Sequence, residues 1–196
     1  LAQSGEFVWA TNAHPFQDHV VIIDLVENAW RVLRCSAEVL SACEPIGGDT
    51  LEQPVGLAAD ADNLWATDYA SGSLVQLAAN GAYLDEPLIV AQGLDHPEGL
   101  AIGPDGRILV VETGGGRLLA IDPASGGAET VADGFEFYTN NPTSIGPSGP
   151  PPHWILSDVA VGSSGDIYVS SDGANAIYRI QGYFDGEDSA EGAMDP

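Results

Sequence analysis

The sequence predicts an all-β protein, a β-propeller built from four-stranded antiparallel blades. Three observations support this fold class: short runs rich in Val, Ile, Leu, Trp and Tyr, turns of Gly, Asp, Asn and Ser between them, and a pattern that recurs along the chain. The chain has 196 residues, 44% of them apolar, which suits one domain with a buried core. We expect about four blades, in a ring that is incomplete or is completed by another chain.

The repeat is clearest in three segments, which begin at Pro54, Pro97 and Ser157. Each has the order strand, turn, strand, glycine-containing turn, strand, and fourth strands follow as EPLIVAQGL and AETVADGF. A unit of about 40–50 residues has the size of a propeller blade. A single sheet of this kind cannot bury both of its faces, so we expect the sheets to stack around an axis.

The first part of the chain contains a partial fourth copy. FVWATN matches the second strand NLWATD, HVVIIDL matches a third strand, and RVLRC then becomes the fourth strand. This alignment leaves the first unit without an innermost strand, and the last unit lacks an outermost strand. The aromatic residues at one place on the second strand are predicted to pack between blades: Trp9, Trp65 and Tyr168.

The charge of the chain is strongly unbalanced. It contains 29 acidic residues and 5 basic ones, for a net charge of −24, and the basic residues are Arg31, Arg34, Arg107, Arg117 and Arg179. Such a surface repels phosphate backbones and anionic membranes, so the composition excludes nucleic acid as a partner. It attracts cations and basic partners, although a surface tuned for solubility would have the same composition. No apolar run approaches the ~18–20 residues that span a bilayer.

Two cysteines, Cys35 and Cys43, lie close together in the sequence RCSAEVLSAC. Their spacing fits none of the usual metal or haem motifs, so we expect a disulfide that closes a small loop; two buried free thiols are the alternative. The sequence starts with neither a Met nor a signal peptide, so we expect a processed or truncated chain. Together these features predict an extracellular or periplasmic protein whose signal peptide has been removed.

Antiparallel strands bring the start of the first strand and the end of the second strand to one end of each blade. The polar residues predicted to gather there are Asn12, Asp68, His96, Glu98, Glu112, His153, Asp158 and Asp172. Oxygen-rich clusters of this kind suit a hard divalent cation, Ca²⁺ or Mg²⁺ more than Zn²⁺, and the candidate ligands are Asn12, Asp68, Glu98, Asp158 and Asp172. The alternative is that these side chains cap turns by accepting backbone N–H bonds.

Two segments, GLAIGPDGRILVVETGGGRLLAID and DVAVGSSGDIYVSSDGANAIYRI, resemble the blades of NHL-type and SMP-30/gluconolactonase-like six-bladed propellers. In the SMP-30-like enzymes, acidic and Asn side chains at the innermost positions hold one divalent metal. The resemblance implies that Glu98 and Asp158 stand at two such positions, whereas Val55 stands at a third. Because related repeats also occur in lyases and in pure binding proteins, the resemblance implies the architecture more than the activity.

Two functions fit these features. The first is a binding or assembly module that presents an acidic, loop-bearing face to a small-molecule ligand or a protein partner, or that self-associates. The alternative is a metal-dependent lactonase or esterase, in which the metal polarises a carbonyl and Glu112 or His153 acts as the general base. The sequence has no haem-attachment motif, and its glycine-rich GGGR lacks the P-loop lysine, so we expect neither haem nor a nucleotide.

One long loop, from Phe137 to Pro152, is rich in Pro, Gly, Ser and Asn. Long loops on a rigid scaffold often bind ligands. The flanking aromatics are therefore candidates for contact with a ligand or partner, or else they anchor the loop: Phe137, Tyr138 and Trp154. We place a single propeller domain over residues 1–182, followed by an acidic flexible tail at 183–196.

Overall fold

The computed structural model of the protein describes residues 8–14, 19–26, 29–36, 38, 42–137 and 157–185. Within these ranges the regular secondary structure consists of β-strands in four antiparallel sheets, without a helix. In every sheet the strands pair in the order in which they occur along the chain. The predicted all-β fold with four blades is confirmed.

Each sheet is a meander of short strands. The first contains β1 (Val8–His14), β2 (His19–Val26), β3 (Ala29–Ser36) and β4 (Cys43–Ile46). The second contains β5 (Pro54–Ala59), β6 (Leu64–Asp68), β7 (Ser73–Ala79) and β8 (Ala82–Gln92). The third contains β9 (Pro97–Ile102), β10 (Ile108–Glu112), β11 (Arg117–Ile121) and β12 (Ala128–Asp133). The strands described in the fourth are β13 (Val159–Val161), β14 (Ile167–Ser171) and β15 (Ala176–Ile180).

The first strands of successive sheets contact one another, so β1, β5, β9 and β13 are the innermost strands. The outermost strands β4 and β8 also approach each other. Each sheet therefore stands like a blade with its first strand nearest the axis, as the repeat predicts. The predicted fourth strands of the second and third units are confirmed as β8 and β12.

Three apolar layers separate the sheets and form the core. In β6, Leu64 and Ala66 pack towards the first sheet, whereas Trp65 packs towards the third. In β10 the same alternation directs Ile108 towards the second sheet and Leu109 towards the fourth. Because both faces of these strands are covered, all of their residues are buried. The prediction that Trp65 packs between blades is confirmed.

The fourth sheet has one covered face and one face that no described sheet covers. Ile167 and Val169 of β14 are buried against the third sheet, whereas Tyr168 between them is 36% exposed. Ala160 and Ile177 lie on the same face as Tyr168, and Ile177 is 66% exposed. Within the described part of the chain, the prediction that Tyr168 packs between blades is therefore wrong.

The first sheet differs from the predicted strand assignment. RVLRC belongs to β3, the third strand, and Cys43–Ile46 forms the fourth. Trp9 and Asn12 accordingly lie on β1, the innermost strand, and not on a second strand. The match between FVWATN and NLWATD misled the assignment because Trp, Ala and Thr suit any buried strand, whereas pairing partners decide its place in the sheet.

A disulfide joins β3 to β4. Cys35 and Cys43 lie directly opposite each other in these strands, with an S–S distance of 2.07 Å, so the predicted bond is confirmed. A disulfide is compatible with an extracellular location. The described residues form no helix of the length and apolarity needed to cross a membrane.

The packed unit continues past residue 182. Tyr183 and Phe184 contact each other edge to face and pack against the layer between the third and fourth sheets. The Arg107 guanidinium lies over the Tyr183 ring, 5.0 Å from its centroid. The rest of the predicted tail, residues 186–196, lies outside the described residues.

Candidate functional site

The starts of the first strands and the ends of the second strands meet at one end of the sheets, as predicted. Pro54 lies opposite Asp68, and Pro97 lies opposite Glu112. We name this region the acidic end, and its five carboxyl residues define it: Asp68, Glu98, Glu112, Asp158 and Asp172. The turn at residues 60–63 lies at the opposite end of the second sheet.

Glu98 links three of the sheets. It is the second residue of β9 and is only 3% exposed. Its Oε2 accepts a hydrogen bond of 2.7 Å from the Ser157 N–H, just before β13, and its Oε1 accepts one of 3.3 Å from Thr113 Oγ1. Its backbone carbonyl accepts a hydrogen bond from Thr67 Oγ1 of the second sheet. The backbone and side chain of Glu98 therefore hold neighbouring blades together.

Burial makes the carboxyl group of Glu98 hard to ionise. Loss of water is the largest effect and raises its pKa to about 7, with further contributions from Asp172 and Asp158. The hydrogen bonds from Ser157 and Thr113 act in the opposite direction, because they favour the charged form. Asp158 is an exposed residue, but loss of water around its carboxyl group still raises its pKa, against the hydrogen bond that its Oδ1 accepts from the next backbone N–H, which lowers it. Near neutral pH, the acidic end therefore holds a proton that is easily displaced.

Four of the five arginines pair with carboxylates other than Glu98 and Asp158. The pairs are Arg34 with Glu44, Arg107 with Asp105 and Glu129, Arg117 with Glu112, and Arg179 with Asp166. Arg31 lies on β3 of the first sheet. Within the described residues, no arginine pairs with Glu98 or Asp158, so these two carboxyl groups lack the guanidinium partner that others have.

Asp68 and Glu112 hold the loops that enter the first strands. The two oxygens of Asp68 accept hydrogen bonds of 2.8 Å from the backbone N–H groups of residues 52–53, just before β5. Glu112 Oε1 accepts one of 3.0 Å from the Asp95 N–H, just before β9, and Oε2 is ion-paired with Arg117. These contacts are those expected of side chains that cap turns.

Ser157 lies between two carboxyl groups. It donates its N–H to Glu98 and its hydroxyl to Asp172 Oδ1, at 3.1 Å. Asp158, the next residue, packs against the α-carbon of Gly99, so closely that a Cβ at Gly99 would overlap it. The structure therefore brings Glu98 and Asp158 together at the acidic end, as the sequence predicts.

Tyr69 belongs to this site but was not predicted from the sequence. It follows Asp68 in the turn after β6, is 4% exposed, and its hydroxyl has no hydrogen-bond partner among the described residues. Its ring centroid lies 4.6 Å from that of His96. Burial, followed by the charges of Glu98 and Asp95, raises the pKa of Tyr69 to about 12. The buried phenol therefore stays protonated and lies within the field of Glu98.

His96 and Gln53 occupy equivalent positions, each directly before the proline that opens a first strand. His96 has φ +55°, a left-handed conformation that costs a non-glycine residue on the order of 1 kcal/mol. Its Nδ1 lies 2.7 Å from Asp95 Oδ1 but is not aligned for a hydrogen bond. The buried Nε2 of Gln53 has no partner in the described part of the chain. No sequence signal marked Gln53 or Tyr69, because both lie in loops and their burial depends on how these loops pack.

The predicted metal ligands are only partly brought together. Among the described residues, no three His, Cys, Asp or Glu side chains are grouped so that they could hold a metal ion. The side chain of Asn12 is not among those described, and three further predicted residues lie outside the described ranges: Tyr138, His153 and Trp154. Phe137 is described, and its ring stacks on Phe135 with centroids 5.4 Å apart, in the layer between the third and fourth sheets.

No known family profile and no curated protein sequence matches this chain. Solved structures do match. The fold superposes on virginiamycin B lyase from Staphylococcus aureus with a TM-score of 0.61 and 14% identity, over 100% of this chain and 56% of the lyase chain. A protein assigned as a gluconolactonase gives a TM-score of 0.65 and 16% identity, over 91% and 60% of the two chains. The chain has the β-propeller fold.

A chain in a nidogen–laminin complex also matches, with a TM-score of 0.58 and 15% identity, over 92% of this chain and 78% of that one. This chain spans about 56% of the length of the lyase chain that it matches. Identities this low establish the propeller fold alone, and the named proteins differ in what they do. The narrower resemblance to NHL-type and SMP-30-like propellers stays a prediction.

Proposed function

We propose that this chain is an extracellular propeller module that binds a cationic ligand, or the basic surface of a protein partner, at its acidic end. The observation that carries the proposal is the pair Glu98 and Asp158. Loss of water raises the pKa of the buried Glu98 carboxyl to about 7 and also raises that of Asp158, which is an exposed residue, and no described arginine pairs with either. The extracellular location is supported by the disulfide between Cys35 and Cys43.

A buried carboxylate is costly unless a proton or a cation compensates its charge. Glu98 holds a proton up to about neutral pH, as the rise of its pKa to about 7 indicates. A cationic group on a ligand could replace that proton and be attracted by the ionised carboxylate, with which no described arginine pairs. A net charge of −24 steers cations towards the molecule and repels a second copy, which favours basic partners over self-association.

The proposal is tested by measuring the binding of a short oligo-arginine peptide to the full chain by calorimetry. Glu98→Gln removes one charge at the acidic end and should weaken binding by about tenfold, which corresponds to roughly 1.4 kcal/mol. Asp62→Asn is the matched control, because it removes the same charge from an exposed turn at the opposite end. Equal affinities for both variants would show that only the overall charge attracts the peptide, and the proposal would be wrong.

A metal-dependent hydrolase is the second candidate. It is favoured by the proximity of Glu98, Asp158 and Asp172, whose carboxylate oxygens are ligands suited to Ca²⁺ or Mg²⁺. The described residues alone do not make a metal site. Glu112, the predicted general base, already has both carboxylate oxygens bonded, by Asp95 and Arg117.

Metal content and hydrolysis of a sugar lactone distinguish the two candidates. A hydrolase should keep a stoichiometric divalent ion through dialysis, and the Glu98→Gln variant should not. It should open the lactone ring only when the divalent ion is bound. A chain that keeps no ion and leaves the lactone intact, yet binds the cationic peptide through Glu98, supports the binding module.

A further inference from the structure

We propose that the acidic end recognises a primary ammonium group, held by the Glu98 carboxylate and by the hydroxyl of Tyr69. This inference rests on the proposed function and names the class of ligand: an amine, such as a lysine side chain or a small alkylamine. Two independent observations carry it, the buried carboxyl group that no arginine compensates and the buried phenol oxygen that has no described hydrogen-bond partner.

Of these two observations, the Tyr69 hydroxyl without a described partner points more specifically to a ligand that donates a hydrogen bond. A buried polar atom without a hydrogen bond costs about 1–3 kcal/mol, so buried hydroxyls are normally paired. Tyr69 is held in place by the bond from its N–H to the carbonyl of Gln53, 2.9 Å long, and by the contact of its ring with His96. Its position is therefore fixed before any ligand arrives. A phenol oxygen with free lone pairs can accept one hydrogen bond from an ammonium group.

The chemistry of the surroundings favours an ammonium group over a divalent metal. A Ca²⁺ ion needs six to eight oxygen ligands, and four of the described carboxylates already accept hydrogen bonds from backbone groups: Asp68, Glu98, Glu112 and Asp158. An ammonium group has three donors and is satisfied by two or three acceptors. The rings of Tyr69 and His96 contact each other, the charge of Glu98 acts on Tyr69, and aromatic faces attract organic cations.

Several ionisable groups lie around Glu98, and they determine the sign of the charge at the acidic end. Asp158 and Asp172 approach from the fourth sheet, Asp95 and His96 lie in the loop before β9, and Tyr69 approaches from the second sheet. Three of these five neighbours are carboxyl groups. Anionic ligands are therefore repelled, and a neutral ligand gains nothing from the charge.

The test uses the full chain and Nα-acetyl-lysine methylamide, a small probe with one primary ammonium group, with its Nε-acetylated form as the uncharged comparison. Above neutral pH, where Glu98 is ionised, the charged probe should bind and the uncharged one should not. Tyr69→Phe removes only the hydroxyl and should weaken binding by about tenfold, the worth of a hydrogen bond to a charged group. Glu98→Gln should abolish it.

Tyr183→Phe is the matched control, since it also removes a buried phenol hydroxyl, but one that lies beside Arg107 and away from the acidic end. It should bind the probe like the wild type. Tyrosine difference absorbance of the wild type during titration gives a second measurement that needs no variant, and a signal should appear with the charged probe only.

Each alternative result has a defined meaning. Equal affinity of Tyr69→Phe and wild type, or absence of a tyrosine signal on binding, overturns the ammonium site. Binding of CaCl₂ but not of the amine, lost in Glu98→Gln, overturns this inference and leaves a cation-binding acidic end. Failure of the amine, CaCl₂ and the oligo-arginine peptide alike removes the proposed function as well.

Discussion

Glu98 is a carboxyl group in a place where water is excluded and no described arginine compensates its charge. Its two oxygens nevertheless accept hydrogen bonds from Ser157 and Thr113 and connect neighbouring sheets. These bonds favour the ionised form, but burial outweighs them, because the net effect is a pKa raised to about 7. The residue therefore stabilises the interface between sheets most when it is protonated.

The first prediction concerns the pH dependence of stability. The pKa of Glu98 is raised from 4.5 to about 7 in the folded state, so between these values the folded chain holds a proton that the unfolded chain has lost. The free energy of unfolding should fall by about 3 kcal/mol as the pH rises through this window, because each unit of pKa shift corresponds to about 1.4 kcal/mol. Glu98→Gln should lack this fall, and urea unfolding of both proteins across the window measures the difference.

Comparison with the variant isolates Glu98 from the other titrating groups. Gln keeps an acceptor for the Ser157 N–H and carries no charge, so the two proteins should be similar at acidic pH, and the variant should be the more stable one above neutral pH. Parallel curves for the two proteins at all pH values would mean that Glu98 ionises normally. The raised pKa, and the displaceable proton at the acidic end, would then have to be abandoned.

Part of the site could be predicted from the sequence. Because successive strands run antiparallel, the repeat alone places Glu98 and Asp158 at the same end of two adjacent blades. The structure brings these two residues together. Tyr69 and Gln53 could not be predicted, because a turn residue and a residue before proline are usually solvent-exposed. Their burial depends on how the loops of neighbouring sheets pack, which local sequence does not encode.

Adjacent sheets approach each other closely at a glycine near the start of two first strands, β5 and β9. Gly56 in β5 faces the carbonyl of Glu98, and Gly99 in β9 faces Asp158. At Gly99, the backbone N–H also donates a 3.0 Å hydrogen bond to the Ser157 carbonyl. The absence of a side chain lets the third and fourth sheets make this direct contact.

The second prediction follows from this contact. In Gly99→Ala the new methyl group would overlap Asp158 and lie 2.8 Å from the Ser157 carbonyl oxygen, so the two sheets must move apart. We expect a loss of about 3 kcal/mol in the free energy of unfolding, as for an overpacked core. Gly127→Ala is the control, because its nearest neighbour is Ser125 Oγ at 3.3 Å and the residue is exposed. Chemical denaturation compares the two, and equal effects would contradict the proposed role of the close approach.

The sequence predicted the strands more completely than it predicted the residues of the site. The Val, Ile and Leu runs and the glycine-rich turns identify β5 to β11 because period and turn chemistry are local properties. The first sheet was assigned one strand out of place, since FVWATN resembles a second strand in composition. Only the pairing of Cys35 with Cys43 and the position of β1 beside β5 define the true order.

At the scale of the molecule, the fourth sheet differs from the second and third because no described sheet covers one of its faces. Three equivalent positions illustrate this: Leu74 in the second sheet and Leu118 in the third are fully buried, whereas Ile177 in the fourth is 66% exposed. The sequence is similarly apolar at all three positions, so it could not indicate that the last one lacks a covering sheet. Whether a side chain is in the core depends here on the neighbouring blade.

The third prediction uses this difference. Leu118→Ala should cost about 2–5 kcal/mol in the free energy of unfolding, since it leaves a cavity in the layer between the third and fourth sheets. Ile177→Ala removes a side chain of similar size from the face that no described sheet covers, and should cost less than about 0.5 kcal/mol. Urea unfolding of the chain at several protein concentrations measures both. A cost for Ile177→Ala that approaches that of Leu118→Ala would show that this face is covered in solution. If that cost also rose with protein concentration, the cover would be a second copy, because the stability of an assembled chain depends on mass action.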